Sequence, residues 1–421
     1  MQVLQKHKLI IKEINSQSSI INDIISGLTV AVLFIPQSMA YANIAGVNPV
    51  YGLYAAVIPL FIYTLFSSSK HLSVGPTSVV SILAFSSIST ITKPESLHYF
   101  EAMTALTILI GVIQFSLGVL HAGKIFKYIS NSVIKGFISA VAIIIIIHQL
   151  DSLIGVHISS QKNLISISSE ISKQFYQFHP DTTIIGVSCL VILILFKKLS
   201  KYPIGPLLIL FCSPAIVKLF HLHLSGVEII GFIPNDLPSP ALPNITYTDL
   251  GQLVAPACII AFISFIESYT VAKSISEKTN YQIEADRELI SLGTANFSSG
   301  LIGSIPVAGA LSRSAVNFQS GAKTKLANIV TIMILIITLI FFTHAFYYLP
   351  ISALSAVIII SVFNLIDING MLKTLRTSVI DGLILFTTFL STICIGVIYG
   401  LIIGIVFSMF AHLLKRPRTT F

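Results

Sequence analysis

Two stretches, HLSVGPTSVVSI (His71–Ile82) and GSIPVAGALSRSAVN (Gly303–Asn317), decide the fold. Each sets a Gly- and Pro-containing break ahead of a short run able to form a helix. Proline lacks an N–H and glycine tolerates unusual backbone angles, so each break starts a helix afresh. Short interrupted spans at matching positions of two halves mark an inverted repeat with a binding site at its centre. Gly and Pro are also frequent in ordinary membrane helices, so one break alone carries little weight. Two in matching positions carry more.

This reading requires a chain that crosses a membrane, and composition meets the requirement. Of 421 residues, 54% are hydrophobic and only 10% are charged, against about 25% charged in soluble domains. Mean hydropathy is +0.89. Such an apolar excess needs a lipid bilayer. It excludes a disordered chain, a secreted soluble protein and a nucleic-acid-binding protein. The net charge of +8 is that of basic residues gathered in cytoplasmic loops. Cys189, Cys212, Cys258 and Cys394 lie in apolar runs without close spacing, so they are expected to be small core residues, neither disulfides nor metal ligands. No cleavable signal peptide precedes the first apolar run.

Apolar runs predict an all-α polytopic protein of about fourteen spans. They fall near 20–43, 50–67, 76–91, 102–121, 125–150, 181–197, 203–220, 251–273, 286–303, 309–321, 325–348, 351–363, 378–394 and 395–413. With the N-terminus in the cytoplasm, nearly all 25 Lys and Arg reach the inner ends of spans. Lys93, Lys162, Lys173 and Lys218 fall outside, and Arg313 alone falls within the membrane. This asymmetry places both termini in the cytoplasm. The expected organisation is a cytoplasmic N-terminal segment (1–19), a first repeat (20–220), an outer loop (221–250) with Pro234, Pro238, Pro240 and Pro243, a second repeat (251–413) and a cytoplasmic tail (414–421). An odd number of spans per half inverts the second half relative to the first, a seven-plus-seven inverted repeat.

A helix that starts inside the membrane points unpaired N–H groups, with about half a positive charge, into a cavity. Two such starts form an anion site before any side chain contributes. Thr77, Ser78, Ser312 and Ser314 add hydroxyl donors in the first turns. Arg313 is costly at mid-membrane and does not shed its proton, so it needs an anionic partner or a wet cavity. A structural salt bridge is the alternative reading. Glu267, in PACIIAFISFIESYTVA (Pro256–Ala272), is the acid deepest in an apolar run. It reads either as a proton- or Na⁺-coupling group or as a fixed counter-ion to Arg313. Gln37 and Tyr41, in FIPQSMAYANIAG (Phe34–Gly46), stand four residues apart on one helical face. His148 reads as a core residue, and no role is assigned to His221 and His223.

PVYGLYAAVIPLFIYTLFSSSK (Pro49–Lys70) closely resembles the signature of the sulfate permease (SulP) anion transporters, relatives of pendrin and prestin. Ser67 stands where that signature usually has Gly or Ala. GLTVAVLFIPQSMAYANIAG, HLSVGPTSVVS, FIES and ELISLGTANFSSGLIGSIPVAGALSRSAVNFQSGAKT resemble further family segments in the same order, over about residues 22 to 413. The resemblance implies a core domain of spans one to four and eight to eleven. It implies a gate domain of spans five to seven and twelve to fourteen. It implies two half-helices, the third and tenth spans, with the anion between their starts. The positions matching the family's substrate site are Gln37, Tyr41, Thr77, Leu311, Ser312 and Arg313. Glu267 matches its coupling position. It also implies a homodimer and an elevator movement of core against gate. Family members usually carry a cytoplasmic STAS domain after the last span, and this sequence stops at Phe421 without one.

The expected function is therefore secondary active transport of a small anion, of the sulfate, bicarbonate or dicarboxylate class, by H⁺- or Na⁺-coupled symport in a cell inner membrane. An uncoupled anion exchanger or channel is the alternative within transport. A membrane-embedded enzyme is the alternative outside it, but no catalytic cluster of paired acids, His with Asp, or a nucleophilic Cys is evident. No cofactor and no metal are expected. Two helix dipoles and Arg313 give roughly +2 of local charge, which favours a divalent anion or an anion moved with a cation.

Overall fold

The structure is a computed structural model and describes residues 17–94, 96–123, 130–156, 178–199, 204–232, 240, 243–279, 281–363 and 365–415. Most of the expected N-terminal segment (1–19), part of the expected outer loop (221–250), residues 157–177 and most of the tail (414–421) lie outside these residues.

Fifteen α-helices are described: α1 (Gln17–Ile44), α2 (Pro49–Phe66), α3 (Ser78–Ile88), α4 (Leu97–Val119), α5 (Asn131–Ile154), α6 (Pro180–Leu199), α7 (Ile204–Leu219), α8 (Tyr247–Thr279), α9 (Ala285–Leu301), α10 (Leu311–Gln319), α11 (Leu326–Ile337), α12 (Ile351–Phe363), α13 (Ile368–Thr377), α14 (Val379–Cys394) and α15 (Val397–Lys415). Every helix except α13 overlies one of the fourteen expected spans. By length and composition alone, eight of the described helices are apolar enough to cross a membrane. The short α3 and α10 are not among them.

Three local departures from the sequence reading have physical causes. The run expected as one span over 325–348 is α-helical only to Ile337, then widens through a π turn (Thr338–Phe342) and tightens in a 3-10 turn (Thr343–Phe346). The extra helix α13 is short and amphipathic, with Asp367 capping its first turn by accepting from Gly370 N at 2.8 Å. An apolar-run search passes over such a segment. The cysteines are a correction: Cys189 is buried, but Cys212, Cys258 and Cys394 are exposed. In a membrane protein, apolar residues face lipid as readily as core.

The chain forms two compact units. The first holds α1–α4, the last turns of α6, and α7–α11. The second holds α5, most of α6 and α12–α15. Inside the first unit, α4 and α9 pack backbone to backbone. A Cβ on Gly111 would fall 2.4 Å from Phe297 N, and one on Gly293 would fall 2.4 Å from Phe115 N. Gly118 meets Ile290 and Gly300 meets Ile108 in the same way. Contacts that climb one helix descend the other, so the pair is antiparallel. Only glycine permits this approach.

At one end of the first unit, the Glu288 carboxylate on α9 is buried and ties down the end of α2. It accepts from Tyr63 Oη, Ser68 Oγ, Ser68 N at 2.8 Å and Ser69 N at 3.0 Å. Lys325 donates to the Thr64 and Ser67 carbonyls at 2.8 and 2.7 Å, and Arg287 to the Phe66 carbonyl at 2.8 Å. Cations thus meet the negative end of the α2 dipole. Removing one member of a buried charged network leaves its donors unsatisfied. Glu288→Ala is expected to destabilise the fold by about 3 kcal/mol, read as a lowered thermal midpoint in detergent. An unchanged midpoint would mean the network carries no stability.

Candidate functional site

The two breaks meet in space. Val74–Gly75 (β1) and Ala308–Gly309 (β2) form a two-stranded antiparallel ladder, Val74 opposite Gly309 and Gly75 opposite Ala308. Each strand runs within a few residues into a half-helix, β1 into α3 and β2 into α10. Because the strands are antiparallel, the half-helices leave the ladder in opposite directions. Their N-cap residues, Thr77 and Ala310, have extended backbones, and neither makes a side-chain cap hydrogen bond. The first-turn N–H groups of both helices are therefore left uncapped by side chains.

Side chains hold the ladder and the chain around it. Ala310 N donates to Ser73 O at 3.0 Å, and Ser73 N donates to Ser314 Oγ at 3.0 Å, so the start of α10 is bonded twice to the residue that leads into β1. Asn296 grips Val307 from both sides: Val307 N donates to Oδ1 at 2.8 Å and Nδ2 donates to the Val307 carbonyl at 3.0 Å. The same amide donates to Gln114 Oε1 at 2.9 Å, and Gln114 donates to Ser264 Oγ at 2.8 Å. Gly309 N donates to Ser268 Oγ at 2.7 Å. Ser264 and Ser268 flank Glu267 on α8, so that helix is bonded to the strand that launches α10.

All seven expected site residues belong to the first unit. Gln37 and Tyr41 are buried on α1, past its internal Pro36. Thr77 is buried at the start of α3, and its Oγ1 makes no hydrogen bond among the described residues. Leu311 is 47% exposed and Ser312 partly so, which puts them at the rim of the α10 start. Arg313 is 0% exposed, the largest of the fully buried side chains. None of Nε, Nη1 and Nη2 makes a hydrogen bond among the described residues. Its Cζ lies 4.1 Å from the centre of the Phe34 ring. Tyr41 and Glu267 are near enough to interact with it electrostatically. Glu267 is partly exposed as a residue and interacts with Arg313 and Thr77, but its Oε2 is buried and makes no hydrogen bond among the described residues. Gln37, Tyr41, Thr77 and Arg313 are thus the buried members of the set, and Ser312 and Leu311 are the more exposed ones.

Phe34, Asn296, Gln114 and Glu288 were not singled out by sequence reasoning. Phe34 sits three positions before Gln37 in the stretch already noted, but a Phe in a membrane helix has no mark of its own. Among the described residues no group of three His, Cys, Asp or Glu is placed to hold a metal. His221 and His223 have ring centres 6.0 Å apart.

Among solved structures, the murine Solute Carrier 26 family member A9 anion transporter, in the inward-facing state, matches with a TM-score of 0.89 at 24% identity, over 95% of this chain and 69% of that one. The transmembrane domain of a cyanobacterium bicarbonate transporter, BicA, matches with a TM-score of 0.79 at 22% identity, over 94% and 98%. At these identities the likeness is one of fold, that of a polytopic helical membrane transporter. The model of the sulfate permease family matches residues 20–388. The probable sulfate transporter 4.2 of Arabidopsis thaliana is 33% identical over 395 residues, 92% of this chain and 58% of that protein. A probable sulfate transporter of Mycobacterium tuberculosis is 28% identical over 394 residues, 94% and 70%. The chain belongs to the sulfate permease family, a family of transporters rather than enzymes. It spans less than two thirds of the length of the first of these relatives.

Proposed function

We propose that this chain moves small anions across a membrane by secondary active transport, with sulfate, bicarbonate and dicarboxylates as the substrate class. The observation that carries the reading is the Arg313 guanidinium, wholly buried and without a hydrogen bond to any nitrogen among the described residues, with Tyr41 and Glu267 near enough to interact with its charge. A buried cation with no hydrogen-bonded counter-charge costs roughly several kcal/mol, and an anion bound against it offsets that cost. The anion sits before the uncapped starts of α3 and α10, against Thr77 and Ser312, with Leu311 at the rim and Gln37 and Tyr41 on the α1 wall. The names of the relatives, sulfate transporters and a bicarbonate transporter, agree with this class.

Glu267 is the coupling group in this reading, with H⁺ as the first choice and Na⁺ the second. It faces the same cavity as the cation and is not locked to it by a hydrogen bond. The chain is read as a seven-plus-seven inverted repeat, supported by the matching β1–α3 and β2–α10 devices. A core of α1–α4 and α8–α11 moves as an elevator against a gate of α5–α7, α12, α14 and α15. Side chain–backbone clamps across α1, α2, α4, α8 and α9 suit a body that moves as one piece. In this reading both termini lie in the cytoplasm, supported by the Lys and Arg asymmetry, and the protein sits in a cell inner membrane as a homodimer.

Uptake by reconstituted vesicles tests the reading, with labelled sulfate, bicarbonate, chloride and dicarboxylate, with and without pH and Na⁺ gradients. Saturable uptake of an oxyanion, raised by one gradient, is the expected result. Uptake of none of them would overturn it, and gradient-independent exchange would leave the uncoupled exchanger. Thr77→Leu and Ser312→Phe, which fill the space before the two helix starts, are expected to raise KM about tenfold (about 1.4 kcal/mol) at unchanged yield. A bound-anion structure with the anion among α5 and α12–α15 would refute that placement.

A further inference from the structure

The guanidinium of Arg313 is held in place although nothing among the described residues hydrogen-bonds to it. An unanchored arginine side chain has many rotamers, and a site built on its charge would be blurred. The group packed against it is Phe34. Arg313 Cζ lies 4.1 Å from the ring centre, and both side chains are 0% exposed. The backbone of the β1 break is shaped around the pair. A Cβ on Gly75 would fall 2.3 Å from Phe34 Cζ, 2.6 Å from its Cε2 and 3.4 Å from Arg313 Nη2. Ring and guanidinium therefore both lie against the bare Cα of Gly75, three residues before the start of α3.

We infer that Phe34 is a positioning residue of the anion site, its ring face holding the Arg313 guanidinium in register with the two helix starts. The inference rests on the anion-transport reading above and adds a residue to it. The chemistry explains why an aromatic ring does this task. A carboxylate in the same place would cancel the charge that attracts the anion. A carbonyl would take up N–H groups. A ring attracts the cation through its quadrupole, most strongly where water is excluded, and leaves both the net charge and the N–H groups intact. Gly75 is required because any side chain there would push the ring off the cation.

The test must separate ring electrostatics from packing. Tyrosine is unsuitable, because its hydroxyl would project from Cζ into Gly75. Phe34→Leu keeps an apolar filling and removes the π face. A ring-difluorinated phenylalanine at position 34 keeps the shape and weakens the negative face. KM and kcat for labelled sulfate and bicarbonate uptake are measured in vesicles, with the thermal midpoint of each variant. The difluoro variant is expected to raise KM about threefold and Phe34→Leu about tenfold (about 1.4 kcal/mol). The difluoro variant should keep the wild-type kcat and midpoint. In an Arg313→Gln background the same ring changes should leave KM where the glutamine put it, since interacting residues do not add. Normal wild-type uptake with an unchanged KM in the difluoro variant would overturn the Phe34 assignment alone. A wild-type protein with no saturable uptake would overturn the transport reading, and this inference with it.

Discussion

Arg313→Ala is expected to give a folded protein whose affinity for anions falls at least a hundredfold, about 2.7 kcal/mol. Two features of the site set this expectation. The side chain is the one fixed positive charge at the start of a half-helix, and arginine stays charged whatever its surroundings. It also makes no hydrogen bond to the described residues, so its loss leaves no hydrogen-bond partner unsatisfied. Removing a buried, unbonded charge relieves a desolvation cost that offsets the lost packing against Phe34. The thermal midpoint of the empty protein should therefore hold steady or rise while binding collapses. Titration calorimetry with sulfate and bicarbonate, paired with a melt of the ligand-free variant, reads both quantities. Wild-type affinity in a folded Arg313→Ala protein would sink the site assignment. A lowered midpoint would make the residue a structural one.

Glu267→Gln is expected to separate binding from accumulation. The carboxylate interacts with Arg313 and Thr77 and makes no hydrogen bond on Oε2 among the described residues. Its removal takes a negative charge away from the anion, so affinity should stay within about threefold of wild type or improve (about 0.7 kcal/mol). What should vanish is uptake against a gradient, because a glutamine neither takes up a proton nor binds Na⁺ as an anion does. Binding and gradient-driven uptake are measured on the same preparation, with counterflow exchange as the control for a working site. Full accumulation by Glu267→Gln would reduce the residue to a counter-ion.

The positions of the two half-helices were legible because their cause is local. Gly75-Pro76 in the first break, and Pro306 with Gly309 in the second, restart a helix through their own backbone chemistry, and the N-caps at Thr77 and Ala310 fall within about a residue of where the expected spans begin. Arg313 and Glu267 stood out because a charge in an apolar run is conspicuous by composition alone. Glu288 did not. It lies in a polar first turn, ADRE (Ala285–Glu288), and looks like an ordinary solvated helix start. Its burial arises from Ser68 and Ser69, about 220 positions away. Phe34, Gln114 and Asn296 escaped for the same reason: each acts through a partner on another helix, and no spacing within a helix announces it. The β1–β2 ladder has two residues a side, too short for an alternating pattern. The exposed cysteines show the limit of hydropathy, which finds the membrane but does not tell lipid from core.

The ladder has a consequence for how the protein is made. Val74 pairs with Gly309, roughly 235 positions later in the chain. At about 5–20 residues per second, translation delivers the partner strand roughly 10 to 50 s after the first has left the ribosome. Over that interval the peptide groups at Val74 and Gly75 have no strand to bond, and in lipid they would each cost several kcal/mol, roughly. The amino-terminal half is thus an insertion intermediate that must wait, either in the aqueous path of the translocon or beside an insertase, with its third segment not yet committed to the bilayer. A ribosome-stalled chain whose Ala308 has not yet left the ribosome is expected to leave this segment open to aqueous cysteine labelling, and one long enough that Gln319 has emerged, stalled at least roughly 30 residues further on, to close it. Assembly of the proposed anion site and completion of membrane insertion are then one event.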